Sequence, residues 1–369
     1  MPIRTNTWNL GGHYDLTNSG QNAYVGTPAL FAWGEGVGGK LGQDNTISYS
    51  SPIQIPGTTW RSVSGTDSSS IAIKTDGTLW TWGENTAGRL GQNNLTQYQS
   101  PIQIPGTTWN SVSGAGQHLL ATKTDGTLWT WGSNAKGQLG QNNRTSYSSP
   151  VQIPGTTWSS ISGGDEFSLV TKTDGTLWAW GMNFYGQLGQ NNRTYYSSPV
   201  QIPGTTWRSI DAGDTHSLSI KTDGTLWAWG NGVNGLLGQS SSIDRSSPIQ
   251  IPGTTWNSVS GSYCSLATKT DGTLWAWGQN SKGQLGQNDR TQYGSPVQIP
   301  GTTWSSIGAG QDHSLATKTD GTLWIWGDNL FGQLGQNNQT QYSSPVQIPG
   351  TSWSSIVGAQ RHSLAILLQ

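Results

Sequence analysis

Residues Leu79–Thr127 read LWTWGENTAGRLGQNNLTQYQSPIQIPGTTWNSVSGAGQHLLATKTDGT, and close copies of this stretch carry Trp-Gly pairs at Trp33, Trp82, Trp131, Trp180, Trp229, Trp277 and Trp326. Successive tryptophans are 49, 49, 49, 49, 48 and 49 residues apart. So regular a period marks a repeat architecture. Within the unit, LWTWG, SPIQIP, WNSVSG and LLATKT have the length and composition of strands, and clusters of Gly, Pro, Asn, Asp and Ser separate them. In LWTWG, Leu79 and Thr81 face one side and Trp80 and Trp82 the other, as in a strand covered on both faces. The recurrent TDGT (Asp76-Gly77, Asp125-Gly126, Asp174-Gly175, Asp223-Gly224, Asp271-Gly272, Asp320-Gly321) puts Asp-Gly where a tight hairpin needs positive φ.

Each segment type occurs seven times, so the sequence predicts 28 strands in seven sheets. An open array would expose two sheet edges, whereas radial closure removes them. The predicted fold is therefore all-β: a seven-bladed β-propeller with four antiparallel strands per blade, its ring closed by N- and C-terminal strands sharing one blade. Two strands are expected from each end, and the small-residue segment typified by Trp158-Ser-Ser-Ile-Ser-Gly is expected innermost. Six units of 49 residues and one of 48 leave 27 for a leader, giving a leader over 1–27 and a single propeller over 28–369.

Composition narrows the function. Eighteen basic against 19 acidic residues give a net charge of −1, and only 10% of positions are charged, which argues against nucleic acid and anionic lipid as partners. No stretch approaches the roughly 20 apolar residues of a membrane span, so no membrane insertion is expected. The single cysteine, Cys264, excludes an internal disulfide framework, and MPIRTNTWNLGGHYDL lacks the apolar core of a secretory signal, which points to synthesis in the cytoplasm. All of the 21 tryptophans except Trp8 fall at repeated positions, where they can fill the wedges between sheets. Burying one indole contributes roughly 4–6 kcal/mol as an upper bound.

WGSNAKGQLGQNN at Trp131–Asn143, WGQNSKGQLGQND at Trp277–Asp289, the SPVQIP segments and GAGQDHSLATKTDGTLWIWG at Gly308–Gly327 together resemble the regulator of chromosome condensation repeat, over residues of about 30 to 369. The resemblance implies a seven-bladed propeller with split-blade closure. For function it implies a nucleotide exchange factor for a small GTPase, a chromatin binder or an enzyme inhibitor. Two features depart from the exchange-factor pattern. No unit carries an insertion that could act as a wedge, and the leader, with Arg4, His13 and Asp15 but no lysine, has no basic tail.

Motifs suggestive of catalysis or cofactors read as structure. Gly34-Glu-Gly36-Val-Gly38-Gly39 and Gly230-Asn-Gly232-Val-Asn-Gly235 have dinucleotide-fingerprint spacing, but neither opens a helix after a parallel strand. His118, His216, His313 and His362 each lie nine residues after a repeated tryptophan, on blades too far apart to share an ion, and are expected to bond local backbone. The TDGT aspartates are turn chemistry. Asn94, Asn143, Asn192 and Asn338 satisfy the glycosylation pattern by repetition of a polar loop. No catalytic residue, cofactor or metal is expected, and the chain reads as a non-enzyme.

Two loops differ between units: one after the small-residue strand (TDSSS from Thr66, GDEFS from Gly164, AQRHS from Ala359) and one after Trp-Gly (MNFYGQ, DNLFGQ). Connections alternate between the two ends of a four-stranded antiparallel sheet, so both loops belong on one face. The binding residues expected there are Asp165, Glu166, Phe167, Phe184, Tyr185, Tyr195, Tyr263, Leu330, Phe331 and Arg361. The leading expectation is a recognition scaffold for a protein or glycan partner, suited by composition to a virion surface or tail. The alternatives are a regulator of a GTPase or enzyme, and a multivalent lectin using tryptophan platforms.

Overall fold

Each Trp-Gly strand pairs on both sides. In the blade built from the stretch quoted above, the order from axis to rim is Trp60–Gly65, Ser69–Lys74, Leu79–Gly83 and Tyr98–Ile104, all antiparallel. The computed structural model describes residues 28–368, and these form 28 strands in seven such sheets. The small-residue strand is innermost in every blade, where bulkier side chains would collide around the axis. The expected leader, 1–27, lies outside the described residues.

The ring closes in a shared blade. Its order is Tyr49–Gln54, Ala29–Gly34, His362–Leu367, Trp353–Gly358, and Ala29 faces Leu367 at one end of the junction while Gly34 faces His362 at the other. The core lies between blades rather than within any of them. Phe31, Trp33 and Ala365 of the shared blade pack against Leu315, Ile325 and Leu334 on one side. On its other side, Leu30, Ala32, Leu364 and Ile366 pack against Trp60, Ala72 and Trp82. Each face of the alternating strand is thus half of a different seam.

One polar pattern locks every seam. The Trp-Gly indole donates to a backbone carbonyl of the preceding blade: Trp82 Nε1 to Lys40 O at 2.9 Å, Trp180 Nε1 to Gln138 O at 2.7 Å and, at the closure, Trp33 Nε1 to Gln333 O at 2.8 Å. In six blades a serine hydroxyl donates to the same carbonyl, as Ser168 Oγ does to Gln138 O at 2.9 Å. The histidines differ from expectation here, because they do not bond local backbone. His118, His216, His313 and His362 each place Nε2 within 2.8–3.0 Å of the serine hydroxyl of the next blade. Since that hydroxyl gives its proton to the carbonyl, it accepts one from Nε2, which fixes the tautomer and leaves each buried Nδ1 without a partner among the described residues.

The TDGT turn also differs in detail. Gly77 has φ +77°, but Asp76 remains at negative φ. Gly77 N donates to Lys74 O and Lys74 N to Thr78 O, the pattern of a type I turn followed by a glycine bulge. The aspartate serves as a local acceptor: Asp76 Oδ1 takes bonds from Thr78 N at 2.9 Å and Thr78 Oγ1 at 2.7 Å.

Candidate binding face

The two variable loops of each blade meet. A backbone bond joins them in all seven blades: Glu35 N to Arg361 O, Glu84 N to Ser68 O, Ser133 N to Gln117 O, Met182 N to Glu166 O, Asn231 N to Thr215 O, Gln279 N to Tyr263 O and Asp328 N to Asp312 O. One face of the disc therefore carries all the diversified tips, while the invariant hairpins and inter-blade links occupy the other.

At the centre of the variable face a funnel of about 330 Å³ opens on the axis, walled by the C-terminal ends of the innermost strands and the loops after them. Backbone bonds to side chains of the preceding blade knit the wall: Gly114 N to Ser64 Oγ, Gly163 N to Ser113 Oγ, Ala212 N to Ser162 Oγ and Ala309 N to Ser260 Oγ. In one blade an aspartate replaces that serine. Asp211 accepts from Gly261 N at 2.6 Å and from Ser162 Oγ at 3.0 Å, and burial pushes its carboxyl up to about 7. Nearer the mouth stand Asp67, Asp165 and Asp214. Burial, reinforced by repulsion from Asp165 and opposed by attraction to Arg89 and to Lys40, whose Nζ donates to Asp67 O at 3.3 Å, raises Asp67 to about 6. Burial first, then repulsion from Asp67 and Asp165, raises Asp214 to about 7. Asp165 and, outside the funnel wall, Asp312 are also raised, chiefly by burial. No lysine or arginine lines this funnel among the described residues.

The expected site residues divide into three groups. Asp165 and Tyr263 line the funnel, and Glu166, half-buried, adjoins it in the same loop. Phe184 and Leu330 project from the Trp-Gly loops at 56% and 61% exposure. The Phe184 ring meets that of half-buried Tyr185 edge-on at 4.9 Å, and Arg361 lies over half-buried Phe331 at 5.1 Å while pairing with Glu35 at 3.5 Å. Tyr195 is half-buried farther along its loop. Phe167 is a correction: it is fully buried, occupying the seam position that holds histidine in four other blades, and offers no contact surface.

Asp67, Asp211, Asp214 and Asp312 were not legible as a group. Three of them lie in the variable segments TDSSS, GDTHS and GQDHS, but which side chains turn toward the axis depends on strand register. Asp211 had a signal in its own repeat, as the one acid among Ser64, Ser113, Ser162 and Ser260.

The tryptophan platforms invoked for sugar stacking are not bare. The Trp-Gly and innermost-strand indoles are buried. The six half-buried indoles each carry a lysine ammonium over the ring, as Lys123 does over Trp129 at 4.3 Å and Lys172 over Trp178 at 4.2 Å. No helix among the described residues is long and apolar enough to cross a membrane.

A family model, the RCC1-like domain, matches residues 22–306, and the regulator of chromosome condensation repeat matches 304–333 and 320–366. None of the curated proteins matches the sequence. Among solved structures, human WBSCR16 superposes with a TM-score of 0.83 at 19% identity, covering 93% of this chain and 99% of that one. Prp20p from Saccharomyces cerevisiae, described with its binding to Gsp1p and histones, gives 0.83 at 19%, covering 92% and 91%. The yeast protein bound to Kap60 gives 0.81 at 18%, covering 92% and 88%. At these identities the likeness establishes the fold.

Proposed function

The chain belongs to the RCC1-like domain family, and from that premise we propose that it is a non-enzymatic binding protein of regulatory type that docks a protein partner on its variable-loop face. One observation carries the reading. Of the eight large apolar side chains exposed among the described residues, seven (Val37, Ile47, Leu95, Phe184, Val233, Ile243 and Leu330) stand on the loops that follow Trp-Gly, on a single face. The diversity of the blades is concentrated on that same face. A rigid ring with its variation and its exposed apolar groups gathered on one side is built for recognition. The yeast relative's binding to Gsp1p, histones and Kap60 supports a protein as the class of partner. Neither a virion role nor a glycan ligand has comparable support.

Two full-length variants test this. Phe184→Ser combined with Leu330→Ser is expected to lose a partner that wild type captures, while Thr156→Asn combined with Thr254→Asn, on the invariant face, retains it. Retention by the first and loss by the second would overturn the proposal. Exchange-factor activity is a separate question, answered by nucleotide release from purified small GTPases. No wedge-like insertion interrupts the described blades, so no acceleration is expected.

A further inference from the structure

Val37, Phe184, Val233 and Leu330 share more than exposure. Each lies four residues after its Trp-Gly tryptophan, so the four occupy one equivalent place in four blades and form a crown around the axis. The crown encircles a well of opposite character. Asp67, Asp165 and Asp214 come from three blades, and the carboxylates of Asp67 and Asp165 accept no hydrogen bond from the described residues. Asp165 leans over the neighbouring loop, where its Oδ1 takes up the space that a Cβ on Gly116 would need. An apolar crown around an acidic axis calls for a ligand with apolar groups outside and a positive charge at its centre.

We propose, building on the docking reading above, that the funnel receives the lysine or arginine side chain of a partner protein while Phe184 and Leu330 hold apolar residues beside it. The well, at about 330 Å³, is at the lower end of the range of about 300–1,000 Å³ typical of ligand pockets, which suits one extended side chain rather than a folded element. Complementary charge at the centre sets register and partner choice, and the apolar crown supplies contact area. The raised carboxyls add a signature. An arriving cation favours their ionised form, so docking near pH 6.5 releases protons.

The test uses random twelve-residue peptides displayed on phage and selected against the intact chain. Selected sequences are expected to carry Lys or Arg next to Leu, Phe or Trp. One such synthetic peptide should bind about tenfold or more weakly after its basic residue is changed to Ala. A comparable loss is expected with the Asp67→Asn, Asp165→Asn, Asp214→Asn triple variant, whose thermal melting shows that it remains folded. Calorimetry in buffers of different ionisation enthalpy should report proton release on wild type and little on the triple variant. Peptides that lack a basic residue yet depend on Phe184 and Leu330 would overturn this inference and leave the docking reading standing. Full binding to the triple variant, or spermidine displacing the peptide and binding equally well to the Phe184→Ser, Leu330→Ser variant, would also overturn the inference, the latter by identifying a small-cation well. Peptides indifferent to the crown variant and the triple variant alike, or no selected peptide at all, would sink both.

Discussion

At the scale of single residues, the seams and the funnel respond to pH with opposite sign. Burial lowers His118 and His313 to about 3 and His216 to about 4, and it holds His362 well below the ordinary histidine value. A base with a depressed pKa in the folded state contributes stability that is present above about pH 6.5 and is lost as pH falls toward the folded value. Each such histidine should therefore remove about 2 kcal/mol between pH 7 and pH 5. Phe167 supplies the control, because it already fills this position in one of the three seams that lack histidine, Ser69 and Cys264 standing in the other two. His118→Phe is expected to lose about 2 kcal/mol less than wild type over that interval, measured from urea midpoints at the two pH values. Asp211 acts the other way. Its folded pKa of about 7 exceeds the usual carboxylate value, so its contribution is fully present below about pH 4 and is lost as pH rises to 7. Asp211→Ser, restoring the repeat consensus, should raise stability at pH 8 by about 2 kcal/mol, a figure reduced for the residue's partial exposure to the funnel, and by less at pH 5. These roles were only partly legible. The sequence shows four histidines in register, but a partner in the next blade is invisible until the ring fixes which serine faces which imidazole.

At the scale of elements, the strands could be read because two signals agree: alternating apolar residues within each segment and turn residues between segments. The exact turn could not, since Asp-Gly serves both a two-residue turn and a type I turn with a glycine bulge, and only the bonds made by Lys74 distinguish them. The glycine is essential in either case. Gly126 has φ +77°, and a Cβ there would lie 2.1 Å from Thr156 O on the following inter-blade link. Gly126→Ala should thus destabilise by about 2 kcal/mol or more, seen as a lower melting temperature with unchanged circular dichroism at 20 °C. The inter-strand geometry also explains why Phe167 was misplaced. The sequence puts it at the end of a variable loop, but it is the first residue of a strand, Phe167–Lys172, and its ring turns into the seam.

At the scale of the molecule, blade number and strand content followed from seven copies of four segment types, whereas the convergence of three aspartates on the axis required the assembled ring. Closure has a direct consequence. Removing residues 353–369 would strip the innermost two strands from the shared blade, expose the Ala29–Gly34 edge and open the seams around Phe31 and Trp33. Such a chain is expected to aggregate, or to melt without a cooperative transition in calorimetry. The ring is the platform; the claim it supports is that binding belongs to the face where the blades differ. Hydrogen exchange followed by mass spectrometry, with and without a saturating bound partner or selected peptide, tests that claim most directly. Slowed exchange is expected in the loops around Asp67, Glu166 and Asp214 and in those carrying Phe184 and Leu330, with the TDGT hairpins unchanged. Protection confined to the hairpins and the inter-blade links would contradict it.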